Sequence, residues 1–198
     1  MQHIYYLVDE SGSMMPRRNN VINGLNEFLK SQENKLNTIL SIYTFSHEIN
    51  CCYEKKKYNE IGLFNENKYL PVGSTALYDS IGYILNKIKN ENDISSFILI
   101  ILTDGEENSS FTYHSNDLLN LIQEIKTNKQ LDIVYVGSNQ ESIFNQTIAD
   151  HNSILDYDDN LLDEAMRSTT TAVNRFQNKL TPKIEFTKLE RDVSKTVS

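Results

Sequence analysis

The amino-acid sequence predicts an α/β fold: a doubly wound, mostly parallel six-stranded sheet with one antiparallel edge strand and helices on both faces. Two observations lead to this prediction. Apolar strand-like segments alternate with amphipathic helical segments through almost all of the 198 residues. One pair of strand segments is separated only by a short polar turn, which predicts a hairpin at the edge of an otherwise parallel sheet.

The first half of the chain predicts three strands and one helix. The strands are His3–Val8, Thr38–Phe45 and Glu48–Tyr53. The first is rich in β-forming residues and is expected at the centre of the sheet, whereas the third pairs back with the second across Ser46-His47. A helix is expected after Pro16, with Asn19 and Asn20 as capping candidates. Its apolar residues recur at helical spacing and are Val21, Ile22, Leu25, Phe28 and Leu29.

The second half continues the alternation. Another amphipathic helix is expected from Thr75, and Ser115 is a capping candidate for the next one. The other predicted elements are strand Ile94–Thr103, strand Asp132–Gly137, helix Glu141–Ala149, strand Ile154–Leu155 and a final helix between Leu161 and Phe176. The pattern is lost after Thr181. We therefore predict one domain over residues 1–180 and a loose or partly docked C-terminal tail over residues 181–198.

Composition and charge exclude several classes of protein. A hydrophobic share of 39% and a charged share of 23% are typical of a soluble globular protein. The net charge of −8 argues against binding to nucleic acid or to an anionic membrane surface. The apolar run Phe97–Leu102 is too short to span a bilayer, and no leader sequence is recognisable at the start. Adjacent Cys51 and Cys52 do not make a disulfide framework, so we expect a reducing, cytoplasmic location.

The segment Val8–Met14 carries the first chemical signal. It places Asp9, Ser11 and Ser13 at alternate positions on the loop that leaves the first strand. Oxygen-only ligands of this kind suit a hard divalent cation such as Mg²⁺. The same residue types also build ordinary turns through bonds between side chain and backbone, so the segment alone leaves both interpretations open.

Two further segments favour the metal interpretation. Asp104 follows the strand Ile94–Thr103, and Thr75 stands at the start of a helix. In open α/β sheets, ligands bind outside the carboxyl ends of the strands, where the connections diverge to the two faces. Five oxygen-bearing side chains are therefore expected to converge on one crevice. They are Asp9, Ser11, Ser13, Thr75 and Asp104.

With these motifs the chain, from about His3 to about Phe176, resembles a von Willebrand factor type A domain with a complete metal-ion-dependent adhesion site. The residues around the motifs are similar to those of compact intracellular microbial or viral members of this family. The resemblance implies a Rossmann-like fold and one Mg²⁺ or Mn²⁺ ion. It also implies that Ser11, Ser13 and Thr75 supply hydroxyl ligands, while Asp9 and Asp104 act largely through water and hydrogen bonds.

The resemblance implies a non-enzymatic protein-binding module in which an Asp or Glu of a partner completes the metal shell. Specificity is expected from the surrounding loops Met14–Arg18, Val72–Ser74 and Glu106–Tyr113. One alternative is a metal-dependent hydrolase or phosphoryl-transfer enzyme, although no general base is evident and no phosphate-binding loop is present. Another is a structural subunit that a metal stabilises. The sequence does not predict the oligomeric state.

Overall fold

A computed structural model describes residues 1–104, 107–137 and 153–195, and these residues form one six-stranded sheet. The strand order is β3-β2-β1-β4-β5-β6, and every neighbouring pair is parallel except β2 and β3. The strands are β1 (Gln2–Asp9), β2 (Thr38–Phe45), β3 (Ile49–Lys56), β4 (Ser96–Thr103), β5 (Gln130–Gly137) and β6 (Ile154–Asp156). The predicted fold class, including the single antiparallel edge strand, is confirmed.

Helices cover both faces of the sheet. They are α1 (Arg18–Ser31), α2 (Leu77–Asn90), α3 (Ser115–Lys126), α4 (Leu162–Gln177) and α5 (Lys188–Asp192). Alternate side chains of β1 point to opposite faces, so that Tyr6 and Val8 pack with α1 and α4, whereas Tyr5 and Leu7 pack with α2 and α3. The sheet therefore separates two apolar cores. In the described ranges, no helix has the length and apolar character needed to cross a membrane.

The burial of the strands follows from their place in the sheet. Phe97–Leu102 of β4 is fully buried, because helices cover both faces and neighbouring strands cover both edges. In contrast, β3 is an edge strand with mostly exposed side chains. Its pairing with β2 shifts register between Leu40 and Tyr43, and Lys55 adopts a positive φ of 50°. This irregular, lysine-bearing edge discourages pairing with a further strand.

The start of α1 differs from the prediction. A 3₁₀ turn, Gly12–Arg17, precedes the helix and contains Pro16, and α1 then begins at Arg18. Asn19 and Asn20 lie inside the first turn of α1, so their prediction as caps is wrong. The proline already fixes a helix-like φ, which lets the chain enter the helix before the asparagines.

The other predicted elements agree in place, with small shifts at their ends. Ser115 is the first residue of α3 and not its cap. The Asp117 carboxylate accepts the backbone amide of His114 at this helix start, at 2.8 Å. The predicted helix Glu141–Ala149 lies outside the described residues.

The segment after residue 181 is docked on the domain. Ile184 and Phe186 are buried in the same core as α1 and α4. In α5, the Glu190 carboxylate accepts hydrogen bonds of 2.7 and 2.9 Å from Arg175 of α4. The backbone amide of Asp158 also donates to the carbonyl of Ser194, at 2.9 Å. These contacts connect residues 184–194 to α4 and to the segment after β6.

Candidate metal centre

The candidate centre lies at the carboxyl ends of β1 and β4. These strands are parallel neighbours, with Val8 opposite Leu102, so that their last residues emerge side by side. The chain runs from β1 to α1 on one face of the sheet and from β4 to α3 on the other face. The connections thus diverge at this point, which is where open α/β sheets generally bind their ligands.

Asp9, the last residue of β1, is fully buried at the carboxyl end of the strand. Its Oδ1 accepts the backbone amide of Ser11 at 2.7 Å, and its Oδ2 accepts the hydroxyl of Thr103 at 2.5 Å. The backbone carbonyl of Asp9 also accepts the hydroxyl of buried Tyr69, at 2.6 Å. Hydrogen bonds from three directions therefore hold this residue in one orientation.

The electrostatic environment of Asp9 favours a nearby cation. Burial raises the pKa of Asp9 to about 6, and the like charge of Asp104 adds to this effect, while the hydrogen bonds from Thr103 and Ser11 oppose it. A carboxylate that is desolvated in this way gains more from a cation than an exposed one does.

Ser11, Ser13 and Asp104 continue the hydrogen-bond network above Asp9. The two serine hydroxyl oxygens are 3.1 Å apart, and the Ser13 hydroxyl donates to Oδ1 of Asp104 at 2.7 Å. Ser11 is buried and Ser13 is exposed, so the network runs from the core to the surface. The structure thus connects Asp9, Ser11, Ser13 and Asp104, although β1 and β4 are far apart in the chain.

Backbone contacts connect the segment that carries Thr75 to the Ser11–Ser13 loop. The amide of Gly12 donates to the carbonyl of Gly73 at 3.0 Å, which joins the segment before Thr75 to the Ser11–Ser13 loop. Gly73 has a φ of 86°, a conformation that suits glycine and few other residues. The backbone amide of Thr75 donates to Oδ1 of Asn108 at 2.9 Å. These contacts fix Thr75, which is buried, in a segment that is hydrogen-bonded to the Ser11–Ser13 loop.

Two residues of this centre were missed or read differently from the sequence. Arg17 lies in the predicted specificity loop Met14–Arg18, but its Nη1 donates to Oδ2 of Asp104 at 2.6 Å and to the carbonyl of Ser13 at 3.1 Å. The only sequence signal is its position four residues after Ser13, one helical turn away. Asn108, which positions Thr75, has no signal beyond its nearness to Asp104 in the sequence.

A second acidic pair, Asp79 and Glu107, orders the loop that contains Ser109–Tyr113. The Asp79 carboxylate accepts the backbone amides of Phe111, Thr112 and Tyr113, each at 2.8 Å. Glu107 accepts the hydroxyl of Ser110 and several backbone amides. Asp79 therefore holds the backbone of this loop in place. Glu106, the first residue of the predicted specificity loop Glu106–Tyr113, lies outside the described residues.

The donor set fits a hard divalent cation. The five side chains offer only oxygen atoms, from three hydroxyls and two carboxylates. In the described part of the chain, no three His, Cys, Asp or Glu side chains gather into a metal-binding group, so a cation at this place depends on the hydroxyls. Such a set suits Mg²⁺ or Mn²⁺ better than a metal that prefers nitrogen or sulfur ligands.

Comparisons with known proteins identify the fold. No family model matches the sequence, and no curated protein matches it significantly. Among solved structures, the ArnB paralog VWA2 from Sulfolobus acidocaldarius is 23% identical with a TM-score of 0.59, over 86% of this chain and 44% of that chain. A von Willebrand factor type A structure from Catenulispora acidiphila is 18% identical with a TM-score of 0.61, over 86% of this chain and 42% of that chain.

A third structure contains a metal at its metal-ion-dependent adhesion site (MIDAS) motif. Proximal thread matrix protein 1 from the mussel byssus, solved with a zinc-occupied MIDAS motif, is 16% identical with a TM-score of 0.63, over 87% of this chain and 46% of that chain. This chain thus spans less than half the length of each of the three structures. Together they show that it has the fold of von Willebrand factor type A domains.

Proposed function

We propose that this protein is a non-enzymatic, metal-dependent protein-binding module that acts in the cytoplasm. Ser11, Ser13 and Thr75 would hold one Mg²⁺ or Mn²⁺ ion, with Asp9 and Asp104 in support. The observation that carries the proposal is the hydrogen-bonded chain from Asp9 to Asp104 at the carboxyl ends of β1 and β4. The zinc-occupied site of the mussel protein, which has the same fold, supports divalent metal binding.

The residues of the centre would leave much of the ion's charge uncompensated. Three neutral hydroxyls contribute no negative charge, and Asp9 and Asp104 already accept hydrogen bonds from other groups. When bound, the ion would supply an electrophilic coordination position toward solvent. A carboxylate from a partner protein is the group that both fills such a position and offsets the charge. We therefore infer that the partner presents an exposed Asp or Glu.

The surrounding loops would contribute specificity through apolar contacts. Met15, Val72 and Phe111 are exposed by 46%, 59% and 93%, although each is a large hydrophobic residue. Each belongs to a different one of the three predicted specificity loops, Met14–Arg18, Val72–Ser74 and Glu106–Tyr113. The loop that carries Phe111 is fixed by Asp79, so that little further ordering would be required when a partner binds.

Metal binding is tested by calorimetry with Mg²⁺ and Mn²⁺. We expect one ion per chain, and we expect Asp9→Asn and Thr75→Ala to weaken its binding at least tenfold, because each removes a charge or a ligand. Thr112→Ala is the matched control, since Thr112 is an exposed threonine on a neighbouring loop. Unchanged metal affinity in both site variants would rule out this centre.

Partner binding is tested by affinity capture with Mg²⁺ or with EDTA, read by mass spectrometry. We expect partners that Mg²⁺ retains and that are lost with EDTA and with Thr75→Ala. Capture that survives both would place the interaction surface elsewhere. Turnover of a phosphoester with Mg²⁺ would instead favour the hydrolase alternative, and unfolding in EDTA would favour a purely structural metal.

A further inference from the structure

We propose that Arg17 is a built-in counter-cation of the candidate centre, which holds Asp104 in place without a divalent ion and keeps the affinity for that ion low. This inference rests on the proposed metal site and assigns a role to a residue outside the ligand set. It makes Arg17 a positioning residue whose charge sets how strongly the ion is held.

The contacts of Arg17 tie it to two members of the centre. One guanidinium nitrogen, Nη1, lies 2.6 Å from Oδ2 of Asp104 and 3.1 Å from the carbonyl oxygen of Ser13. The other carboxylate oxygen of Asp104, Oδ1, accepts the Ser13 hydroxyl at 2.7 Å. Arg17 and Ser13 thus engage both oxygens of Asp104 and fix the plane of its carboxylate.

The pair is shielded from water, which strengthens its charge effect. The Arg17 side chain is 15% exposed and the Asp104 side chain only 3%. Attraction and repulsion between charges are stronger in such a place than in bulk water. The guanidinium also stays charged at any ordinary pH, so that its effect on the centre is permanent.

The charge of Arg17 opposes a second cation at the same carboxylate. A divalent ion near Asp104 would meet a negative charge that the guanidinium has already offset, and it would also be repelled by the guanidinium itself. Even at the dielectric constant of water, one unit charge a few ångströms from a divalent ion changes its affinity on the order of tenfold. Arg17 should therefore weaken metal binding by about that factor.

If the ion is bound weakly by the protein alone, a partner carboxylate should strengthen its binding. A partner carboxylate would restore the negative charge that Arg17 offsets, so metal and partner should each increase the affinity for the other. The centre would then take up its ion firmly only when a partner is present.

The neighbouring residue provides a matched control. Arg18 carries the same charge, but its guanidinium donates to the backbone carbonyls of Tyr69 and Glu66, at 2.9 and 2.7 Å. Arg17→Gln and Arg18→Gln therefore remove equal charge, but only the first removes it from Asp104. Arg17→Lys retains the positive charge but replaces the planar guanidinium group with an ammonium group.

The experiment is calorimetric titration of the wild-type protein and these three variants with Mg²⁺ and Mn²⁺ alone. We expect Arg17→Gln to bind the ion on the order of tenfold more tightly than the wild type. Arg18→Gln and Arg17→Lys should stay within about threefold of the wild type, since neither removes the charge beside Asp104.

Equal or weaker metal binding by Arg17→Gln, with a measurable wild-type affinity, would overturn the inference and leave the metal site standing. An equal gain in Arg18→Gln would also overturn it, because the effect would then come from net charge and not from the contact with Asp104. Absence of metal binding in all four proteins would overturn both this inference and the proposed function.

Discussion

At the scale of single residues, β1 carries a buried titratable side chain at each end. Asp9 lies at the carboxyl end, in the candidate centre, and His3 lies at the amino end. Nε2 of His3 lies 2.8 Å from the hydroxyl oxygen of Ser41, and Nδ1 lies 3.5 Å from a carboxylate oxygen of Glu91. Lys55 contacts the other oxygen of that carboxylate at 2.6 Å. The negative charge of Glu91 therefore interacts with both His3 and Lys55.

His3 should make the protein sensitive to acid. Burial lowers the pKa of His3 from 6.5 to about 4, against the opposing attraction of Glu91. Between these two values the unfolded chain binds a proton that the folded chain excludes, so the free energy of unfolding should fall as the pH is lowered from 6.5 to 4. The full loss attributable to His3 would be about 3 kcal/mol.

The measurement is urea unfolding at a series of pH values in EDTA, for the wild type and for His3→Gln. The variant should show a shallower decline, and the difference between the two curves isolates the contribution of His3. His114→Gln is the control, because His114 is exposed. Parallel curves for the wild type and His3→Gln would contradict the prediction.

At the scale of elements, the loop that contains Phe111–Tyr113 is positioned by its packing on α2. Asp79 binds the backbone of this loop. Asn86, about two turns further along α2, donates to the hydroxyl of Tyr113 at 2.8 Å. Gly82 lies between them, and the Tyr113 ring packs directly over it. A methyl group at Gly82 would come within 2.5 to 2.7 Å of three ring carbons of Tyr113.

Gly82→Ala should therefore destabilise the protein although alanine favours helices. Displacing the rigid ring costs about 1–3 kcal/mol, which should exceed the gain in helix propensity of about 1 kcal/mol. Gly62→Ala is the control, since a methyl group there would meet only the Tyr53 hydroxyl oxygen, at an ordinary 3.6 Å. Chemical unfolding of both variants tests this prediction, and a Gly82→Ala protein more stable than the wild type would refute it.

At the scale of the whole molecule, the C-terminal segment completes one of the two cores. Ile184 and Phe186 are 1% and 4% exposed and pack with residues of α1 and α4. The ion pair between Arg175 and Glu190 then holds α5 against α4. The predicted domain boundary at residue 180 thus falls before side chains that contribute to the core.

Phe186→Ala should destabilise the entire domain and not only the C-terminal segment. Removing a buried aromatic ring costs about 3 kcal/mol or more. Leu189→Ala should change stability by no more than about 0.5 kcal/mol, because Leu189 is 71% exposed on the same segment. The test is thermal unfolding followed by circular dichroism. A melting temperature for Phe186→Ala equal to that of the wild type would show that the segment is not part of the cooperative fold.

The sequence by itself determined the fold class and the edge of the sheet that carries the candidate centre. Both depend on local signals: the apolar runs of β1 and β4 identify central strands, and residues that directly follow parallel strands must emerge at the same edge. The positions of Asp9 and Asp104 could therefore be inferred without knowledge of any side-chain contact.

Only the tertiary structure decided which side chains meet across elements. The pairing of Arg17 with Asp104, the support of Thr75 by Asn108 and the insertion of Phe186 into the core all join residues that are distant in the chain or have no periodic pattern. Charged and amide side chains can satisfy their hydrogen bonds with many partners or with water. Their choice depends on the packing of the helices and loops that bring them together, and local sequence carries no signal of that packing.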